Sequence, residues 1–387
     1  MTRTLLALAI VVGLVVAGRT PPATLSAQTA DRYQGTLQPW IERLLEREHR
    51  PGLAIAVVEG NRVVYARGFG VKRLGQDDAI TSRSLFHMAS ITKTFVATSL
   101  MQLVEKGKID LDAPVVRYLP YFRMADDRYR TITVRHMVTH SSGMPDVDDY
   151  EWDKPQYDDG ALERYVRGLS DRTLLFAPGD RFKYSNMAFE ILGDVIATVS
   201  GQSFDDYVQD QILTPLRMTD STLLVRRADA RLLTWGHELD ASGRPFPSKV
   251  FPYNRAHSPS SNLHSNVLDM ARWAIANMNH GELDRRRILQ TSTHELMWKR
   301  ARDLGGPAPA PSTPSPVGIS WFLGEYRGAT MVGHSGGDTG YATDLAMLPE
   351  KNIAVVWMMN SDWRGSRGLT QAALDVALGQ APQPMQP

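Results

Sequence analysis

Residues 88–95 read Met-Ala-Ser-Ile-Thr-Lys-Thr-Phe, and the spacing within this stretch decides the fold. Ser90 and Lys93 stand three positions apart, and nowhere else in the chain does Lys follow Ser at that distance. Phe95, Val96, Leu100, Leu103 and Val104 then recur at roughly helical period, and Gly107 lies where a helix stop is expected. Three residues is nearly one helical turn, so both side chains share a face. Ser90 is expected at the helix N-terminus, where free N–H groups and the positive dipole end stabilise a developing anion. A serine hydroxyl is a weak nucleophile until a neighbour takes its proton. Lys93 can take it only where burial or nearby positive charge lowers its pKa.

Two further motifs give the pair its context. Phe182-Lys183-Tyr184-Ser185-Asn186-Met187 follows a turn signal at Pro178-Gly179-Asp180 and precedes an apolar run through Phe189, Ile191, Leu192, Val195 and Ile196. Tyr184 offers a phenol for proton transfer if cationic neighbours depress its pKa, and Asn186 an amide that donates and accepts at once. Taken alone, the pair reads first as a buried tyrosine and a helix-capping asparagine. Near the C-terminus, Gly333-His334-Ser335-Gly336-Gly337 lies on a strand predicted over residues 330–337, with further strands over 341–348 and 353–359. Glycines in a strand mark close backbone approach. Here they would let a substrate lie along Gly336 and Gly337, with a backbone N–H near Gly337 aimed at its carbonyl oxygen.

In this order and at these separations, Ser-x-x-Lys, Tyr-x-Asn and His-x-Gly resemble the three signatures of the penicillin-recognising serine hydrolases. The likeness is to the class C β-lactamase branch, with its low-molecular-weight penicillin-binding proteins and family VIII esterases. Residues 131–145, 192–196 and 348–356 resemble the same family's connecting helix and loop, its helix after the tyrosine and its last hairpin. The resemblance runs from about Leu37 to the final helix. It implies a β-lactamase/transpeptidase-like α/β (α+β) fold. It also implies catalytic roles for Ser90, Lys93 and Tyr184, and substrate contacts from Asn186, His334, Gly336 and Gly337. Asn186 would hold a substrate amide or orient Lys93, and His334 would polarise the Tyr184 side or touch a leaving group. Which of Lys93 and Tyr184 is the acylation base stays open.

One departure matters. His334 stands where β-lactamases carry a lysine, a permanent cation able to attract a penicillin carboxylate. An unperturbed histidine, with a pKa of about 6.5, is mostly neutral at pH 7. The substrate is therefore open among β-lactams, related amides and esters, and D-amino-acid cell-wall peptides cleaved by a carboxypeptidase or endopeptidase. A non-catalytic sensor is the alternative outside enzymes, and it predicts erosion of Ser90, Lys93 or Tyr184, all of which are present.

Two competing motifs fail. Residues 333–337 also fit Gly-x-Ser-x-Gly, but that nucleophile elbow needs an acid and then a histidine downstream, and no histidine follows His334. His136 and His140 have the spacing of a zinc-protease pair, but Met137 replaces its glutamate. They are expected as structural groups near the cleft.

The remaining features set bounds. The chain has 387 residues, 43% of them hydrophobic, and a net charge of +1, so its size supports a large core and its charge suggests no nucleic-acid partner. Met1-Thr2-Arg3, an apolar run over residues 5–17 and small residues after it read as a secretory signal within residues 1–27, cleaved after Ala17 or Ala27. The run is short for a membrane span of about 20 residues. With no cysteine there is no disulfide, lipid-anchor thiol or cysteine metal site, and export to a bacterial periplasm or beyond fits. No metal or organic cofactor is required by the chemistry, and the partner is a small-molecule or peptide substrate. An amphipathic helix is expected over residues 31–47 and a hairpin over 53–58 and 62–70. The middle is mainly helical, and strands return near Val317. The sheet is thus expected from both ends of the chain (31–115 and 317–381), with an inserted helical lobe (116–316), a Pro/Ala/Ser-rich loop at 305–316 and a flexible tail at 382–387.

Overall fold

The computed structural model describes residues 32–304, 316–362 and 366–384. The proposed signal, nearly all of the Pro/Ala/Ser-rich loop and the last three residues of the tail lie outside the described residues.

The strands of the main sheet are β1 (Gly52–Glu59), β2 (Arg62–Gly70), β3 (Arg302–Asp303), β4 (Pro316–Val317), β5 (Phe322–Tyr326), β6 (Ala329–Asp338), β7 (Tyr341–Leu348) and β8 (Ile353–Met359). They lie in the order β2-β1-β8-β7-β6-β5-β4-β3, with every neighbouring pair antiparallel. Gly60 and Asn61 close the first hairpin with φ of 55° and 63°, the left-handed pair of a type I′ turn. The two chain ends meet at β1 and β8, from Leu53 opposite Met359 to Glu59 opposite Ile353.

The alternation of side chains divides the core into two layers. On β1, Ala54, Ala56 and Val58 join one buried cluster, while Leu53, Ile55 and Val57 join the other. On β8, Ala354, Val356 and Met358 part in the same way from Ile353, Val355, Trp357 and Met359. Helices α1 (Gln38–Arg47) and α5 (Ser366–Ala377) cover the second face. The larger cluster takes in α2 (Thr92–Glu105), α3 (Asn186–Ser200) and α4 (Val267–Met278). These central strands are covered on both sides, and their near-continuous apolar sequences follow from that.

Helix α2 is buried all round from Thr92 to Leu103. Most of its polar side chains find partners on the backbone. Thr98 and Ser99 hydroxyls donate back to the carbonyls of Thr94 and Phe95, and Gln102 donates to the Ile288 carbonyl at 2.9 Å. Phe95 stacks on Trp273 of α4 with ring centroids 4.0 Å apart. A helix running through the core cannot shift without opening it, so Ser90 and Lys93 at its N-terminal end stand on a rigid support.

Two expectations need adjustment. The first helix is not continuous: a π-helical turn at Tyr33–Leu37 precedes α1. Pro39, in the first turn of α1, has no N–H to give to an earlier carbonyl, which accounts for the break in α-helical bonding. Strands also return before Val317, since β3 pairs with β4 at the sheet edge. A two-residue edge strand carries no alternation for a sequence pattern to reveal.

Phe95→Ala should cost about 3–5 kcal/mol of unfolding free energy, the range for an aromatic removed from a packed core. Urea denaturation followed by tryptophan fluorescence measures it. A loss below about 1 kcal/mol would mean that the α2–α4 seam does not hold the lobe.

Candidate active site

Ser90 occupies a short 3-10 turn, Ala89–Ile91, that leads straight into α2. Ala89 is buried with φ of +47°, a left-handed conformation that costs a non-glycine residue about 1 kcal/mol or more and recurs at functional positions. It turns the chain so that Ser90 is only partly covered while Ala89 and Ile91 are enclosed.

Lys93 follows one turn later and has no exposed surface. Its Nζ lies 3.0 Å from Ser90 Oγ and 2.8 Å from the Ser260 carbonyl oxygen. It also stands 5.1 Å from the Tyr184 ring centroid and 5.6 Å from that of Phe189. Among the described residues no carboxylate pairs with it directly. Burial lowers its pKa from the ordinary lysine value to about 7, against a partial lift from Glu190, Asp146 and Asp338. A neutral amine suits both partners, giving one N–H to the Ser260 carbonyl and offering its lone pair to the Ser90 hydroxyl.

Tyr184 arrives from the loop before α3. Its hydroxyl oxygen is buried and faces Ser90, but no hydrogen bond of good geometry forms to it. Burial raises the phenol pKa, Ser90 offsets this in part, and Asp146 and Glu190 push it further up. The condition set from the sequence, cationic neighbours that depress this pKa, is not met: the carboxylates of Asp146 and Glu190 raise it, and the phenol is held neutral. His140 stacks on the Tyr184 ring with centroids 4.1 Å apart. The Ser185 N–H donates to His140 Nδ1 at 3.2 Å, so the imidazole is neutral with its proton on Nε2, and burial holds its pKa well below the ordinary value. His136, by contrast, caps the helix Val134–Val138 with Thr133, so the two histidines serve different structures.

Asn186 opens α3 but does not cap it, since the Ser185 hydroxyl takes that role by accepting from the Ala188 N–H at 3.2 Å. Asn186 gives its backbone N–H and its Nδ2 to Asp146 Oδ1, at 2.8 and 3.0 Å. It does not orient Lys93, as one of the two sequence-based readings had it. The Ser260 carbonyl does that.

His334 is 3% exposed on β6, with its ring edge-on to Phe322. Its Nδ1 donates to the Ser335 carbonyl at 2.6 Å, while Nε2 is buried without a partner. Burial, followed by the Lys93 charge, lowers its pKa to about 3. The side chain is a neutral acceptor and not a cation. Gly336 packs against the nucleophile turn: a Cβ there would overlap the Met88 carbonyl and the Thr343 hydroxyl and press on the Ser90 amide nitrogen at 3.1 Å. Gly337 is exposed and faces open space. The Gly336–Gly337 backbone and the Ser90 N–H therefore line the same corner. Ser335 is exposed, on the opposite side of the strand from His334.

Several residues of the site were not foreseen. Ser260 belongs to the helical turn Ser258–Ser261, and Glu190 and Asp146 lie behind Lys93 and Asn186. Asp338, at the end of β6, accepts from His87 Nε2 at 3.1 Å, Trp152 Nε1 at 3.2 Å, the Ser261 hydroxyl at 2.9 Å and the Thr339 N–H at 2.9 Å. Burial opposes its ionised form, but these donors, His87 foremost, hold its pKa below the ordinary range. The available signals were thin: two acids, Glu190 and Asp194, inside the apolar run of α3, and the Ser-Pro-Ser-Ser-Asn run at 258–262.

Fold and site together define a serine-hydrolase scaffold of the β-lactamase/transpeptidase type. The sequence profile of the Beta-lactamase family matches residues 37–379, and the chain belongs to that family. Penicillin-binding protein 4 of Amycolatopsis lactamdurans is 29% identical over 328 residues, covering 83% of this chain and 84% of that protein. Protein flp of Staphylococcus aureus (strain MW2) is 26% identical over 321 residues, covering 83% of this chain and 61% of the relative, so the chain spans about three-fifths of that protein's length. Among solved structures, the octameric penicillin-binding protein homologue from Pyrococcus abyssi aligns with a TM-score of 0.77 and 28% identity, over 90% of this chain and 78% of that one.

The buried lysine gives a stability signature. Its folded pKa of about 7 lies below the unfolded value of about 10.4, so between these the unfolded chain binds more protons. The stability of the wild type relative to Lys93→Met should therefore rise as pH increases from about 7 to 10, by a few kcal/mol in all, and be flat below pH 6. Thermal unfolding of both proteins across pH 5–10 tests this. A constant difference would mean that Lys93 is buried as a cation.

Proposed function

We propose that this chain is an exported serine hydrolase that turns over esters or amides through an acyl-enzyme on Ser90. The observation that carries the reading is Lys93: fully buried, 3.0 Å from the serine hydroxyl, with no directly paired carboxylate and a pKa near neutrality. A structural lysine gains nothing from such a place, whereas a general base is most effective when its pKa lies near the working pH.

In this mechanism Ser90 Oγ attacks the acyl carbon while its proton passes to the Lys93 lone pair. Lys93 is the acylation base, because burial and two nearby carboxylates, Asp146 and Glu190, hold Tyr184 in its neutral form. The Ser90 N–H and a strand N–H near Gly337 receive the oxyanion, preorganised donors worth about 3 kcal/mol each. The Tyr184 phenol gives its proton to the leaving group and is reprotonated from Lys93. Water then attacks the acyl-enzyme, the base takes its proton, and Ser90 leaves with a proton returned. Asn186, pinned by Asp146, presents the rest of its amide to the substrate. Export rests on the N-terminal sequence alone.

The charges favour acyl donors that lack a carboxylate beside the scissile bond. His334 is neutral, and the carboxylates of Glu190, Asp146 and Asp338 all reach Lys93, with no arginine among its charged neighbours in the described residues. Neutral esters and amides are thus preferred over penicillins and D-alanyl peptides.

A fluorophosphonate probe should add to the peptide containing Ser90. The adduct should be absent in Ser90→Ala and form about 100-fold or more slowly in Lys93→Ala and Tyr184→Phe. Labelling at Ser335, or none, would refute the mechanism. Substrate charge is tested by comparing p-nitrophenyl butyrate with mono-p-nitrophenyl succinate. kcat/KM should be about tenfold or more higher for the neutral ester, with the gap narrowing as salt is raised. Equal turnover at low salt would remove the charge argument.

A further inference from the structure

Glu190 lies one turn into α3 from Asn186 and is fully buried. A buried carboxylate costs free energy that an apolar residue at the same place would avoid, and Phe189, Ile191 and Leu192 beside it are apolar. All of its contacts lead to one neighbouring segment. The Ser260 hydroxyl donates to Glu190 Oε1 at 2.5 Å and the Ser260 N–H to Oε2 at 3.3 Å, while His257 Nδ1 lies 3.1 Å from Oε1. Ser260 is the residue whose carbonyl holds Lys93 Nζ at 2.8 Å. The carboxylate and the amine therefore grip a single residue from opposite sides, by its N–H and hydroxyl on one side and by its carbonyl on the other.

We propose that Glu190 is a positioning residue whose charge, applied through and across Ser260, sets the pH at which Lys93 becomes a base. This role rests on the acyl-enzyme at Ser90 proposed above. An anion in contact with Lys93 would pin the ammonium and abolish its basicity at neutral pH, while an apolar residue would let burial drive the amine to so low a pKa that it accepts a proton poorly. An anion one residue removed gives the intermediate result. The other groups around the pair do not replace it. Asp146 is engaged by Asn186 and the Val147 N–H, and Asp338 by four donors. Tyr184, His140 and His334 face Lys93 as neutral groups. On the far side, Glu190 faces His257, which packs against the rings of Tyr150, Trp152 and Tyr165. Tyr150 and Tyr165 feel its charge as a further rise in pKa that burial has already imposed.

The test follows the rate of Ser90 phosphonylation by an uncharged fluorophosphonate across pH 4.5–9, with no need to know the substrate. In the wild type the rate should rise along an acid limb with its midpoint near 7. In Glu190→Gln the limb should move to lower pH, on the scale of about one unit for a single buried charge, and the plateau should fall because the amine is a weaker base. Glu190→Asp keeps the anion and should leave the midpoint in place even if its rate drops, an outcome that a purely structural role does not produce. Glu190→Met removes the charge with apolar packing, and should shift the limb like Gln where the Gln variant fails to fold. A folded, labelled Gln or Met variant whose midpoint stays at the wild-type value overturns the role of Glu190 while leaving the acyl-enzyme intact. Absence of labelling in the wild type at every pH overturns both.

Discussion

The site depends on one costly placement, an amine taken wholly out of water with only a hydroxyl and a carbonyl to receive it. In most folded chains a buried lysine acquires a carboxylate partner, and that pairing fixes the proton on nitrogen. Here the immediate surroundings are a serine, a backbone carbonyl and two aromatic rings. The molecule tolerates the arrangement because the amine can be neutral. Neutrality, in turn, turns a liability for stability into a lone pair directed at the serine.

The fold makes the placement possible by surrounding it from distant parts of the chain. Helix α2 supplies Ser90 and Lys93 and is itself enclosed by the core. The loop before α3 brings Tyr184, the turn Ser258–Ser261 brings the receiving carbonyl, and β6 closes the corner with Gly336 against the Ser90 amide. The sheet behind them is apolar on both faces, so its strands have little freedom to slip: a shift by one residue would exchange the two buried layers, and large residues such as Trp357 would meet the wrong one. Rigidity at the sheet is what lets a 3.0 Å contact at its edge be held without an ion pair.

How much of this was legible in the sequence follows from which interactions are local. Ser90 and Lys93 share one helical turn, so their spacing sufficed. The strands 341–348 and 353–359 were readable to the residue because their apolar runs are bounded by turns. Tyr184, Asn186 and the glycines of β6 came from motifs whose meaning lies in their combination. Ser260, Glu190, Asp146 and Asp338 were not legible, because their significance comes from contacts between segments far apart in the chain, and nothing in their local pattern separates them from ordinary polar residues. The sign of the field at Tyr184 was not legible for the same reason. A motif shows the amine nearby but not the carboxylates behind it.

Those carboxylates explain why the neutral His334 is consistent with the rest of the cleft. A permanent cation at that position would lower the Lys93 pKa further. A buried imidazole donating Nδ1–H to its own strand adds no charge, and leaves Nε2 as an acceptor facing inward. The cleft then contains one titratable base of near-neutral pKa in a field of anions held in place by hydrogen bonds. In the proposed mechanism, substrate selection and proton transfer would then have a common electrostatic origin. The same negative field that would keep Lys93 basic enough to work, and Tyr184 protonated enough to donate, would oppose a substrate that brings a carboxylate to the serine.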